Sequence, residues 1–130
     1  FKPGESELYL FTVVPTYSSL TGRDAVVSNM MPVTAAAYLE ILEENAREHL
    51  QEHLDELIQA GYTAKAEIAR GDPIELISST AIGVEAGLIL LSTHKKAGFG
   101  AFWARSVAPN VVKKSRIPVL LIPLNEKNLI

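Results

Sequence analysis

Leu88-Ile89-Leu90-Leu91-Ser92-Thr93-His94, continuing through Lys95-Lys96-Ala97-Gly98-Phe99-Gly100-Ala101-Phe102-Trp103-Ala104-Arg105-Ser106, decides how this chain folds. The run Leu88–Leu91 is apolar without alternation, which predicts a strand buried on both faces. It leaves through Ser92-Thr93-His94 into a loop carrying Lys95, Lys96, Gly98, Gly100 and Arg105. A helix is then expected from about Ser106 to Lys114, burying Val107, Val111 and Val112, with Pro109 tolerated in its first turn. A buried strand feeding a loop and a helix is the repeating unit of an open parallel sheet. In such sheets ligands collect outside the carboxyl ends of the strands, where backbone N–H groups and the next helix start face outward.

Working outward, Pro118-Val119-Leu120-Leu121-Ile122 reads as the last strand, closed by Pro123. Upstream, Arg70-Gly71-Asp72-Pro73-Ile74-Glu75 is a strand-to-helix signal. Asp72 can cap, Pro73 suits the first helical position and Glu75 can reach back as in a capping box. The helix it opens is expected to bury Ile74, Ile77, Ala81 and Val84. Tyr62 to Ala69 alternates Ala64, Ala66 and Ile68 against Thr63, Lys65 and Glu67, the pattern of a strand with one wet face near a sheet edge. Before it, Leu39, Leu42, Ala46, Leu50, Leu54, Leu57 and Ile58 form the apolar stripe of a long helix, with Thr34 as N-cap and Gly61 as its left-handed stop. Leu8–Val14 is a strand rich in aromatic and β-branched residues, ended by Pro15. Thr16 to Val33 has no periodicity and is expected to be mobile or to cover a neighbouring surface, with Met30 and Met31 packing where it folds back. Strands alternating with amphipathic helices predict an α/β fold with a parallel sheet and helices on both faces.

The 130 residues and their apolar share suit one domain with one core. A formal charge of −3 gives no basis for nucleic-acid binding. The charge is nevertheless uneven. From Ser92 to Asn125 the sequence holds Lys95, Lys96, Arg105, Lys113, Lys114 and Arg116 and no acid, whereas Thr34 to Gly61 holds seven acids against Arg47. That division predicts a solvated acidic helix and a patch that tolerates anions. With no cysteine there is no disulfide, thiolate metal site or cysteine nucleophile. No apolar run reaches the roughly 18 residues a membrane helix requires, and Phe1-Lys2-Pro3-Gly4-Glu5 is not a signal peptide. These features lead us to expect a soluble, cytoplasmic domain without membrane insertion.

The ordered segments FTVVP (Phe11–Pro15), ARGDP (Ala69–Pro73), LILLSTH (Leu88–His94) and ARSVAPNVVKKSRIPVLLIP (Ala104–Pro123) resemble the universal stress protein family. The resemblance implies a three-layer, Rossmann-like fold of the adenine-nucleotide alpha-hydrolase type, with strand order 3-2-1-4-5 in the intact domain. It also implies that the first, central strand and its helix are absent here, about 35 residues judged from the usual strand and helix lengths. Family members that bind ATP carry Gly-x2-Gly-x9-Gly-Ser after the fourth strand. Glycines let the backbone approach phosphates, and the serine opens a helix whose N–H groups face them. The matching positions are Ser92, Lys95, Arg105 and Ser106, so only the serine is kept. Gly98 and Gly100 stand at other spacings. The family's adenine-side contacts fall on Val13 and Leu91, with Val107 after the serine.

Other features have plainer readings. Lys95 and Arg105 either replace glycine N–H contacts with charge or are solvated cations of a degenerate loop, and the second is the expectation. Phe99, Phe102 and Trp103 are read as loop aromatics covering a core edge or subunit contact rather than stacking on bases. His49-Leu50-Gln51-Glu52-His53 has the H-x-x-E-H spacing of a zinc peptidase class, but no third ligand suggests itself. Both imidazoles are expected to be half-buried beside the apolar stripe, with no metal. His94 is expected to be held by local hydrogen bonds at its turn. No nucleophile set is present, so no catalytic residues are assigned.

The resemblance implies a universal stress protein, a small regulatory domain that acts by dimerisation and through a protein partner rather than by turnover. Its homodimer is often formed through the last strand, here Pro118, Val119, Leu120, Leu121 and Ile122. Tight ATP binding is not expected, ATP or AMP binding being the alternative. A second alternative is a regulatory domain of a larger transporter or kinase.

Overall fold

A computed structural model of the chain describes residues 2–14, 16, 32–94 and 99–124. The elements run β1 (Glu7–Val14), α1 (Pro32–Gln59), β2 (Thr63–Arg70), α2 (Pro73–Gly83), β3 (Ile89–His94), α3 (Phe99–Lys114) and β4 (Val119–Leu124). Strands alternate with helices, and both strand pairs, β1–β2 and β3–β4, are parallel, so the fold is α/β. The chain parts into two compact units, Phe1–Asp72 and Pro73–Ile130. Residues 17–31, most of the aperiodic connection, lie outside the described residues.

In the first unit β1 and β2 pair from Glu7↔Thr63 to Val14↔Arg70. The expected alternation holds along β2: Ala64, Ala66 and Ile68 are half-buried while Thr63, Lys65 and Glu67 are exposed. Helix α1 packs on both strands. Its stripe of Leu39, Leu42, Ala46, Leu50, Leu54 and Leu57 is half-buried, but Ile58 at the helix end is 52% exposed. The helix opens at Pro32, ahead of the expected Thr34 cap, because the fixed φ of proline suits a first helical residue and its missing N–H costs nothing there. At the other end Gly61 has φ +91. Its N–H donates to Ile58 O at 3.0 Å and the Tyr62 N–H to Leu57 O at 3.0 Å, closing the left-handed stop predicted for this glycine. Between helix and strand, the largely buried Glu43 carboxylate accepts from Arg47 of α1 and is also met by Arg70 at the end of β2. One carboxylate thus ties the strand's carboxyl end to the helix.

In the second unit Pro73 is the buried first residue of α2, as predicted. Glu75 stands in the first turn and accepts from Lys114 Nζ of α3 at 3.1 Å. Ala81 is buried and Ile74 and Ile77 are half-buried, but Val84 lies past the helix and is exposed. Strand β3 departs from expectation. Ile89 is buried and Leu91 half-buried, yet Leu90 is 55% exposed, and Leu88 precedes the strand and is exposed. Helix α3 packs on β3 and covers the Ile89 and Leu91 face. Leu90 points the other way, on the side shared with Leu120 and Ile122 by the parallel register.

Strand β4 starts at Val119 and runs through Pro123, which therefore does not close it; proline is tolerated in an edge strand. Pro118 sits just outside, where its carbonyl accepts from the Ile89 N–H at 2.9 Å. The Ser115 hydroxyl sets the turn from α3, donating to Ile117 O at 2.9 Å and accepting from Ile117 N at 3.0 Å. Helix α3 begins at Phe99 rather than near Ser106. Phe99, Phe102 and Trp103 are therefore helical positions and not loop ones. Pro109 lies inside the helix rather than in its first turn. Val107, Ala108 and Val111 are buried, whereas Val112, expected inside, is 46% exposed. Val111 is wholly buried, and burial of such a side chain contributes roughly 1.5–3 kcal/mol.

Candidate functional site

The exit of β3 is built from a strand end and the helix packed on it. Leu91 lies opposite Leu121 and Ser92 opposite Ile122 in the parallel ladder. Leu91 is half-buried against the α3 side and Ser92 is exposed. The alternation of a strand forces this split, since successive side chains take opposite faces. Val107 is buried in α3, the helix that packs on β3. The second unit therefore brings Leu91, Ser92 and Val107 into one packed pair of elements. Val13, half-buried in β1 and opposite Ala69, belongs to the first unit. Lys95 lies outside the described residues, as do Lys96 and Gly98.

Arg105 and Ser106 fall inside α3, well past its first turn at Phe99. This changes the chemistry available at the serine. The amides not claimed by a helix's own ladder are the first four, here those of Phe99, Gly100, Ala101 and Phe102. The positive end of the helix dipole lies with them and fades within that turn. Ser106 does not open a helix, so its backbone cannot offer the outward N–H set that would face a phosphate. Sequence reasoning missed this start because two glycines and three cations among Lys95–Arg105 read as loop. The signal against a loop was the spacing of Ala101 and Ala104, strong helix formers, between them. The Lys114 ammonium is engaged by Glu75, and Lys113 and Arg116 are exposed.

These features define a class: a Rossmann-like α/β protein of parallel strand–helix units. The model of the universal stress protein family matches residues 3–123. The chain belongs to the universal stress protein family. Among solved structures it is similar to the hypothetical protein MJ0577, with a TM-score of 0.69 and 24% identity over 92% of this chain and 77% of that one. It is similar too to the hypothetical protein PH0823, with a TM-score of 0.62 and 24% identity over 94% of this chain and 78% of that one. At such identities the likeness is one of fold. No curated protein matches the chain.

Proposed function

We propose that this universal stress protein domain is a cytoplasmic regulatory domain that works by dimerisation and partner binding rather than by turnover, without tight ATP binding. The observation that carries this reading is the position of Ser106 inside α3, behind Arg105, instead of at a helix start. Side chains at Ser92, Lys95 and Arg105 stand where the ATP-binding pattern has glycine, and a backbone approach to phosphate favours residues without a Cβ. Titration of the protein with ATP, ADP and AMP tests it. We expect no micromolar affinity until glycine is restored at all three positions. Micromolar ATP binding that is lost in Ser106→Ala and tightened in Arg105→Gly would make the protein a nucleotide sensor instead.

We propose β4 as the dimer contact, a reading supported by the exposure of its large apolar side chains Leu120, Leu121 and Ile122. We further propose that the intact domain pairs another strand with β1. Among the described residues β1 has a single strand partner, and a two-stranded sheet is marginal by itself. Slow hydrogen exchange at β1 amides in a protein with its preceding residues, against fast exchange in residues 1–130, is the expected result. Equal exchange in the two would remove the strand from the proposal.

A further inference from the structure

Outside the strand exit, α1 carries a pair of imidazoles that the proposed function does not use. His49 and His53 stand one helical turn apart, and their rings meet edge-on with centroids 4.7 Å apart. They are not the half-buried residues that the apolar stripe suggests: their side chains are 74% and 51% exposed. Both line an open groove with Thr12, Asn45, Ala46 and Leu50. Each ring also has a carboxylate on one side. His53 Nδ1 faces Glu56 Oε2 at 3.5 Å, and His49 Nδ1 faces Glu52 Oε2 at 3.9 Å.

We propose that His49 and His53 form an exchangeable chelating site for a borderline divalent cation of the Ni2+, Cu2+ or Zn2+ class. Neutral imidazole is the ligand these ions share. A carboxylate beside Nδ1 favours the tautomer with the proton there and leaves the Nε2 lone pair as the donor. Glu56, 3.5 Å from His53 Nδ1, stands where an orienting carboxylate stands behind a metal-bound histidine, whereas Glu52, 3.9 Å from His49 Nδ1, is beyond hydrogen-bond reach. The i, i+4 spacing puts both donors on one face of a helix whose backbone is already ordered. The second donor therefore binds as a tethered ligand at high effective concentration. Among the described residues no group of three ligating side chains forms, so water completes the coordination shell. Catalytic zinc sites supply three protein ligands, so this pair binds and exchanges metal, and the H-x-x-E-H spacing implies no peptidase.

The test is calorimetric titration of the untagged, metal-stripped protein with Ni2+, repeated for His49→Ala, His53→Ala, the double variant and His94→Ala. One ion per chain is expected. Each single variant should lose at least about tenfold in affinity, the double variant little more, and His94→Ala nothing, because chelation needs both rings at once. Ni2+ should also raise the Tm of the parent protein and leave that of His53→Ala unchanged, since an ion that bridges the folded turn binds only the folded state. No binding by the parent overturns the proposal. So does unchanged affinity in either single variant, which would mean rings acting singly, or loss of binding in His94→Ala.

Discussion

Glu85 holds a backbone conformation in which glycine is the usual residue. It lies just past α2 with φ 54, and its N–H donates to Ile82 O at 3.0 Å while that of Ala86 reaches Ala81 O at 2.9 Å. This is the same cap that Gly61 forms after α1, with a side chain where the other helix has none. The left-handed region costs a side chain roughly 1–2 kcal/mol, and glycine's extra freedom in the unfolded chain takes back roughly 0.5–1. Glu85→Gly is therefore expected to stabilise the protein by about 1 kcal/mol, read as a higher urea midpoint at unchanged slope. Tyr9 supplies a pH dependence at the same scale. Its hydroxyl donates to the Glu67 carboxylate on the neighbouring strand, and that bond, then burial and the nearby negative charge, push its ionisation above the ordinary value. The folded state holds this proton more tightly than the unfolded chain. The contribution is complete below the unfolded pKa of about 10 and is lost as pH rises through the higher folded value. Stability measured between pH 9 and 12 should fall more steeply in the parent than in Tyr9→Phe, and identical slopes would show that the pair contributes nothing.

Among the elements, those whose ends are fixed by local chemistry were legible in the sequence. Gly61 marks the stop of α1 and Pro73 the start of α2, because a left-handed glycine and a proline without an N–H act through their own backbones. The alternation of Thr63–Ala69 likewise fixes which face of β2 is wet. What the sequence did not show depended on neighbours. An apolar run such as Leu88–Leu91 reads alike whether one face or two are covered, and here α3 covers only the face of Ile89 and Leu91. The start of α3 was hidden behind glycines and cations, and with it the position of Ser106 inside the helix. That Leu91 and Ser92 lie on the strand was readable, but the geometry of the helix that follows was not. That misplaced start also conceals a weakness in α3. Pro109 is interior and exposed, and it has no N–H to give to the carbonyl of Arg105. Interior proline costs a helix about 3 kcal/mol relative to alanine. Part of that is recoverable if the ladder can close, so Pro109→Ala should stabilise the protein by at least about 1 kcal/mol. A lower unfolding midpoint in this variant would mean that the proline at this position is required for Val107 and Val111 to pack.

For the whole molecule the question is how it covers the apolar surface left on its second sheet. Leu90, Leu120 and Ile122 share one face of the β3–β4 pair by register, and Leu120 is 49% exposed. Soluble monomers rarely expose contiguous apolar patches larger than a few hundred Å2. An edge strand also carries backbone groups able to pair with another chain. A twofold contact through β4 would hide both at once, and because such an interface is self-complementary it closes at two copies instead of growing into a filament. One substitution then acts twice, once on each side of the axis. Leu120→Lys would bring two ammonium groups into the contact, where each loses hydration and repels the other. The parent protein is expected to show twice the chain mass by light scattering and Leu120→Lys the mass of one chain, with far-ultraviolet circular dichroism unchanged because the position is half exposed in the single chain. A parent of single-chain mass would dismiss the dimer altogether, and a variant that kept the doubled mass would move the interface off β4.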